Sequence, residues 1–408
     1  MYCRHCKSKL SERILDLGHA PPSNNYLCKE GLNKPELYLP LSIYLCKECW
    51  LVQAIDYSLP KDLFKNNYAY LSSTSNTWLQ HAASYVKMIS KQLSLNSDKF
   101  VVEIASNDGY LLTNFVDKKI PCLGIEPTHL SANIALSKGI PVLKKFFSLK
   151  LAEEIIVKKK KADLIIGNNV YAHVPDINDF TKGLKKLLAK NGVINLEFPH
   201  ILELLKKTQF DTIYHEHFSY LSLSVVQRIF NKFNLKIFDV EKIKTHGGSL
   251  RIYACHINEN KQIKKSVIEI INEELLFGLE SIGAYKNFQK TAFILILKFN
   301  KFIINEISKG KIIAGFGAAA KANTLINYAG LNKEHIKFIC DNSKAKINMY
   351  MPGNHIPIVS REELKKIKPD WVIIFPWNIA NEIIKNENYI KKWGGNFVVF
   401  KNGRLKIL

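Results

Sequence analysis

Short apolar runs recur from about residue 100 onward: KFVVEIA, PCLGI, ADLIIGN and NGVINLEF. Longer stretches of helical period, such as LSANIALSKG and FTKGLKKLLAK, separate them. Brief β-rich runs alternating with amphipathic segments predict strands joined by crossover helices, hence a parallel sheet. IFDVEKIKTHGGSLRIYACHI then alternates apolar and polar residues about a Gly-Gly turn, which predicts antiparallel strands closing that sheet. A charged helical stretch from Ile263 leads to KIIAGFGAAAKANTLINYAG, IKFICD and PDWVIIFPW, where the alternation resumes and a second α/β domain is expected. A chain of 408 residues exceeds one comfortable core. The pattern divides it into an N-terminal part (1–77), a central domain (78–285) and a C-terminal domain (286–408).

No apolar run approaches a membrane span, and MYCRHCKSKL lacks the apolar stretch of a secretory signal, so a cytoplasmic protein with no membrane partner is expected. The cysteines fit that compartment. Four of the eight fall in two C-x-x-C pairs, and Cys28, Cys122, Cys255 and Cys340 are scattered. Cys3, Cys6, Cys46 and Cys49 suit a tetrahedral Zn²⁺ held by four thiolates; with every position filled by protein, such a site is structural. The formal charge of +22 invites a nucleic-acid reading, but only six of the 58 basic residues are arginine. Base readout and forked phosphate contacts favour arginine, so the charge is read as a solvated surface that also suits a small anionic substrate.

VVEIASNDGYLL has the order strand, acid, tight turn, helix of a mononucleotide-binding first crossover, with Glu103, Ala105, Ser106, Asn107 and Gly109 as cofactor candidates. It departs from G-x-G-x-x-G, which needs close backbone approach to a pyrophosphate. S-adenosylmethionine carries no phosphate and tolerates side chains there. GIEPT places Glu126, with Pro127, at the next strand end, where a carboxylate can accept both ribose hydroxyls; Asn168 and Asn169 finish a third. In TIYHEHFSYL, His215, Glu216 and His217 lack the i, i+4 histidine pair of a zinc helix, which favours acid/base chemistry. On an extended segment His215 and His217 would share a face with Glu216 opposite. The glycine turn of GFGAAAKANT, with Gly315, Gly317, Lys321, Asn323 and Thr324, can present N–H groups and a cation to a diphosphate. HGGSLR brings His246 and backbone near a sugar, or is simply a hairpin turn. Asp341 caps a loop or touches a ribose. GFGAAAKAN with Asp341 also fits a nicotinamide-dependent sugar dehydrogenase, and the two C-x-x-C pairs fit a zinc-ribbon nucleic-acid-binding module.

EIASNDGYLL, NNVYAHVPD, YHEHFSYLS and THGGSLRIYA, in this order behind two C-x-x-C pairs and ahead of GFGAAAKANT, resemble the zinc-containing three-domain C-methyltransferases that act on nucleotide-linked keto-deoxysugars. The resemblance runs over nearly the whole chain. It implies an N-terminal zinc-binding lobe, a central Rossmann-like class I methyltransferase domain binding S-adenosylmethionine, and a C-terminal Rossmann-like α/β domain that helps hold a nucleoside-diphosphate sugar. It further implies C-3 methylation of a 4-keto-6-deoxy sugar in deoxysugar biosynthesis; separately, the lysine-dominated charge argues against a nucleic-acid partner, and a monomer is the default expectation for an oligomeric state the sequence does not specify. By the same resemblance His217 is the general base, Tyr214 and Glu216 neighbour it, and His173 is a proton carrier or enolate donor. Tyr68 is a further active-site tyrosine, with Tyr70 too near to separate from it, and His215 has no role assigned.

Overall fold

In a computed structural model the described residues are 1–57, 63, 71–74, 76–401 and 404–408. Three sheets organise them. The first is antiparallel and joins β1 (Glu12–Ala20), β2 (Leu39–Leu45) and β3 (Val52–Ala54) to a distant strand, β9 (Ser219–Tyr220), in the order β1-β2-β3-β9. The second contains β4 (Val101–Ile104), β5 (Cys122–Ile125), β6 (Val142–Leu143), β7 (Ala162–Asn168), β8 (Leu188–Pro199), β10 (Leu235–Ile243) and β11 (Ser249–His256), ordered β10-β11-β8-β7-β4-β5-β6. The third contains β12 (Ile313–Phe316), β13 (Ile339–Cys340), β14 (Ile358–Val359), β15 (Trp371–Ile374), β16 (Asn396–Lys401) and β17 (Arg404–Ile407), ordered β14-β13-β12-β15-β16-β17.

The central sheet follows from the apolar runs. Every residue of β4 and β5 is buried, as strands covered on both faces by helices must be. Parallel pairing runs from β6 through β8, and β11 inserts antiparallel between β8 and β10, the reversal foreshadowed by the Gly-Gly turn. β4 lies between β5 and β7, so successive crossovers leave it in opposite directions and a crevice opens at its carboxyl end. The helix Asn76–Gln92 covers one face with Ala82, Tyr85, Val86 and Ile89, a single stripe at helical spacing.

The helix Phe288–Ser308 presents Ala292, Leu295, Ile296, Phe299 and Ile303 to a core that also contains Leu15, Leu41 and Ile43 of the first sheet and Ile339 and Ile373 of the third. The first and third sheets therefore share one core. The two C-x-x-C pairs fold alike: Lys7 N–H donates to Cys3 O (3.0 Å) and Trp50 N–H to Cys46 O (2.8 Å), with Lys7 and Trp50 in the left-handed region (φ 67° and 64°). No helix among the described residues is long and apolar enough to cross a membrane.

Candidate active site

A cavity of about 1430 Å³ opens where the three sheets meet, and its wall draws on all of them. One end is the turn after β4. Ala105, Asn107 and Gly109 have φ of 56°, 49° and 75°, which coils the chain into a tight turn that satisfies its own backbone: Ser106 N–H donates to Ile125 O (3.2 Å) and Gly109 N–H to Ser106 O (3.1 Å). Glu126 fastens that turn to the end of β5: Oε2 accepts Asn107 N–H (2.9 Å), and Oε1 accepts Thr128 N–H (2.8 Å) and Oγ1–H (2.5 Å). Ala105, Asn107, Glu126, Pro127, Asn168 and Asn169 line the cavity. Glu103, Ser106 and Gly109 lie beneath it. Burial, then Glu126 and Asp108, raises the Glu103 pKa well above the carboxylate range, and among the described residues neither of its oxygens has a hydrogen-bond partner. Ser106 packs on Gly124, where a Cβ would overlap its Oγ.

The His-Glu-His stretch forms the middle. It is not an extended segment, contrary to expectation: His217 N–H donates to Tyr214 O (2.9 Å), closing a turn that spends these backbone groups on each other before the chain enters β9. The three side chains consequently diverge. His215 faces the first sheet, with Nε2 3.3 Å from Pro40 O. Glu216 turns to Asn24, whose Nδ2 donates to Oε1 (3.0 Å), and burial raises its pKa. Neither reaches the cavity, whereas Tyr214 and His217 do.

His217 Nδ1 lies 2.9 Å from Thr212 O. A carbonyl only accepts, so Nδ1 carries the proton and Nε2 is the basic nitrogen. Burial first, and His173 second, hold the His217 pKa well below the usual imidazole value, so the ring is neutral near pH 7. Tyr214 lies 4.0 Å and His173 4.6 Å from it, centroid to centroid. Burial draws His173 down to about 4. Tyr68 and Tyr70 lie outside the described residues.

The far end belongs to the third sheet. Gly317 (φ 87°) and Lys321 line it, and Lys321 Nζ donates to Asn378 Oδ1 (2.8 Å) while standing 4.5 Å from the Trp377 ring centroid. Burial lowers the Lys321 pKa to about 8. Gly315 is packed inside, 2.5 Å separating its notional Cβ from Phe375. Asn323 and Thr324 point away from the cavity: Asn323 Nδ2 donates to Pro21 O (3.3 Å) and Thr324 Oγ1 to Ile213 O (2.8 Å), tying their helix to the first lobe and to the base segment. Asp341 is a loop cap at the rim, accepting from Ala318 N–H (2.7 Å) and Ser343 N–H (2.8 Å). His246, with φ 51°, lines the cavity and accepts from Asn169 Nδ2 (3.1 Å).

Several wall residues escaped the sequence reading. Trp78 and Tyr110 stack with ring centroids 6.0 Å apart, and Trp78 also stacks on His81 (4.9 Å). Buried Glu197 pairs with Arg251 (3.1 Å) and accepts from Thr245 Oγ1 (2.8 Å), pinning the loop that carries His246. Lys346, whose Nζ donates to Ala318 O (2.8 Å), had no distinguishing signal in so lysine-rich a chain.

Comparison with known proteins assigns this architecture. The family models of a zinc binding domain, a methyltransferase domain and a C-methyltransferase C-terminal domain match residues 3–64, 78–240 and 244–400. The C-methyltransferase NovU of Streptomyces niveus is 31% identical over 397 residues, 97% of this chain and 94% of the relative. The chain belongs to the C-methyltransferase family. Among the solved structures it resembles, the PH0226 protein of Pyrococcus horikoshii (TM-score 0.38, 14% identity) covers 46% of this chain and 95% of its own, and the magnesium protoporphyrin IX methyltransferase of Synechocystis (TM-score 0.33, 15% identity) covers 43% and 78%.

As a C-methyltransferase it uses S-adenosylmethionine, and its four-cysteine cluster is a zinc site. The residues fit both. Cys3 and Cys49 Sγ are 3.5 Å apart, Cys6 and Cys46 Sγ 3.4 Å, and all four sulfurs fall within 4.8 Å of one another. These separations are far beyond a disulfide of about 2.05 Å. They bracket the edge of about 3.8 Å that a tetrahedron with Zn–S bonds near 2.3 Å requires. On the donor side, a seat of left-handed backbone and a pinned carboxylate suits a phosphate-free amino acid and ribose. Gly109 fixes its shape, since a Cβ there would overlap Ile140 Cδ1 at positive φ. Gly109→Ala is expected to cost roughly 1–3 kcal/mol and to weaken S-adenosylhomocysteine binding with it. Calorimetric titration checks this, and wild-type affinity in that variant would contradict it.

Proposed function

We propose that this C-methyltransferase acts on a nucleoside-diphosphate-linked 4-keto-6-deoxy sugar, methylating C-3 through an enolate in deoxysugar biosynthesis. The observation that carries the reading is the forced tautomer of His217: a buried neutral imidazole offers its basic nitrogen in a cavity that has a donor seat at one end and a lysine with a glycine turn at the other. The volume supports two ligands, since about 300–1,000 Å³ holds one of drug size.

Bound S-adenosylmethionine supplies an electrophilic methyl group. The protein does the rest. His217 Nε2 takes the proton from the carbon beside the ketone, and the C–H electron pair becomes the enolate. That pair forms the new C–C bond as the S–CH₃ bond breaks, its electrons staying on sulfur. Thr212 O keeps the ring oriented while it is cationic, the Tyr214 hydroxyl on the neighbouring ring donates to the developing oxyanion, and His173, whose ring hydrogen-bonds to the Glu216 backbone, serves as a proton carrier. Lys321, Gly317 and His246 hold the diphosphate and sugar, with Ala105, Asn107, Glu126, Asn168 and Asn169 on the donor. Glu103, Ser106, Gly109, Glu216, Gly315, Asn323 and Thr324 act one layer back, by supporting these groups.

Incubation with S-adenosylmethionine and a panel of nucleotide-linked keto sugars is expected to give one product heavier by a methylene unit, and nucleoside diphosphate should compete with the sugar but not with the donor. Absence of product across keto sugars, alongside normal donor binding, would refute the substrate class.

A further inference from the structure

The first C-x-x-C knuckle does more than hold metal. Its two intervening residues, Arg4 and His5, are buried against the segments that carry His173 and His217. The Arg4 guanidinium donates to Pro175 O through NH1 (2.8 Å) and to Ala54 O through NH2 (2.8 Å), pairs with Asp56 (2.8 Å), and lies 5.4 Å from the Phe218 ring centroid. Pro175 is two residues from His173, and Phe218 follows His217. The same three segments are cross-braced by backbone: Phe218 N–H donates to Ala172 O (2.9 Å), and Ala54 N–H to Phe218 O (3.1 Å). From the other side, Asn178 Nδ2 donates to His5 O (2.9 Å) and Arg4 O (3.3 Å), and Asn178 Oδ1 meets His5 Nδ1 at 2.8 Å.

We infer that Arg4, held in place by the zinc knuckle, is a positioning residue that sets the distance and angle between the His173 loop and the His217 segment. The physical reason is geometric. A planar fork can satisfy two carbonyls and a carboxylate from two chain segments while lying over the aromatic ring of a third, which a lysine point charge cannot. Fixing Cys3 and Cys6 on one ion fixes the backbone between them, so the metal sets where that fork stands. Displacement of a reacting group by about 1 Å can cost on the order of a hundredfold in rate. The inference rests on the reading of His217 as the base.

The test compares Arg4→Met, Arg4→Lys and Asn178→Ala in the zinc-loaded, full-length enzyme, with turnover expressed per S-adenosylhomocysteine-binding site so that unfolded material does not count. Hydrogen–deuterium exchange is read at residues 172–178 and 213–220. Arg4→Met is expected to keep its zinc and its donor affinity, to lose protection in those two segments while residues 101–112 stay protected, and to lower kcat roughly 10- to 100-fold with the donor KM unchanged. Arg4→Lys should recover little of the loss. Asn178→Ala, which leaves the guanidinium in place, should show the same pattern more weakly, and it serves if Arg4→Met does not fold. Unchanged exchange in both segments overturns the inference. So does loosened exchange with unchanged kcat; His217 variants judge the base assignment separately.

Discussion

His217→Asn lowers kcat by roughly 10²- to 10⁴-fold and leaves S-adenosylhomocysteine affinity as it was. Asparagine is the informative replacement, because its Nδ2–H can still donate to Thr212 O and keep the turn closed while the basic nitrogen is gone. Loss of the chemical step with the fold and donor seat intact separates a base from a scaffold. The pH profile adds an independent check with a definite sign. The base works only when neutral, and burial lowers the His217 pKa, so kcat/KM holds as pH falls through the ordinary imidazole value of about 6.5 and declines only below it. An acid limb at or above that value, or near-normal turnover in His217→Asn, removes His217 from the role.

The second large effect is loss of zinc. Structural zinc is worth about 10–16 kcal/mol of apparent binding free energy, as much as the whole stability of a typical domain at about 5–15 kcal/mol. Chelation, or Cys49→Ser, should therefore collapse the N-terminal lobe and abolish turnover. The donor turn should survive. Tyr110, Leu111, Leu112 and Ile140 pack in a cluster on the other side of the central sheet, one that among the described residues draws none from the lobe. Calorimetry should show an early transition lost with the metal and a later one still raised by S-adenosylhomocysteine. Full activity in metal-free protein, confirmed by elemental analysis, would contradict this.

The central fold was legible because its signals are local. Apolar runs, helical stripes and one Gly-Gly turn each act within a dozen or so residues, and together they specify strand order through handedness rules. Cys3, Cys6, Cys46 and Cys49 were legible for a related reason, since thiolate pairs at this spacing have few other uses. What failed was one local turn and several long-range placements. The His-Glu-His stretch alternates like a strand, but Tyr214 O and His217 N–H pair with each other, and nothing nearby in sequence announces that. Asn323 and Thr324 belong to the glycine-turn motif yet face Pro21 and Ile213, because their helix is wedged between lobes. Trp78, Tyr110 and Lys346 reach the wall only through tertiary placement.

The strand β9 carries a last consequence. Ser219 and Tyr220 extend a sheet whose other strands lie within the first 54 residues, in register with Gln53 and Val52. The stretch just before them holds the imidazole, so its anchor is supplied by a strand far earlier in the chain. Chimaeras spliced between relatives at the start of the central sheet would mismatch that two-residue seam, whereas exchanging residues 1–57 and 213–220 as one block would preserve it. Evolution of new sugar preferences is then expected to proceed by altering the cavity's outer wall, with these two distant pieces inherited together.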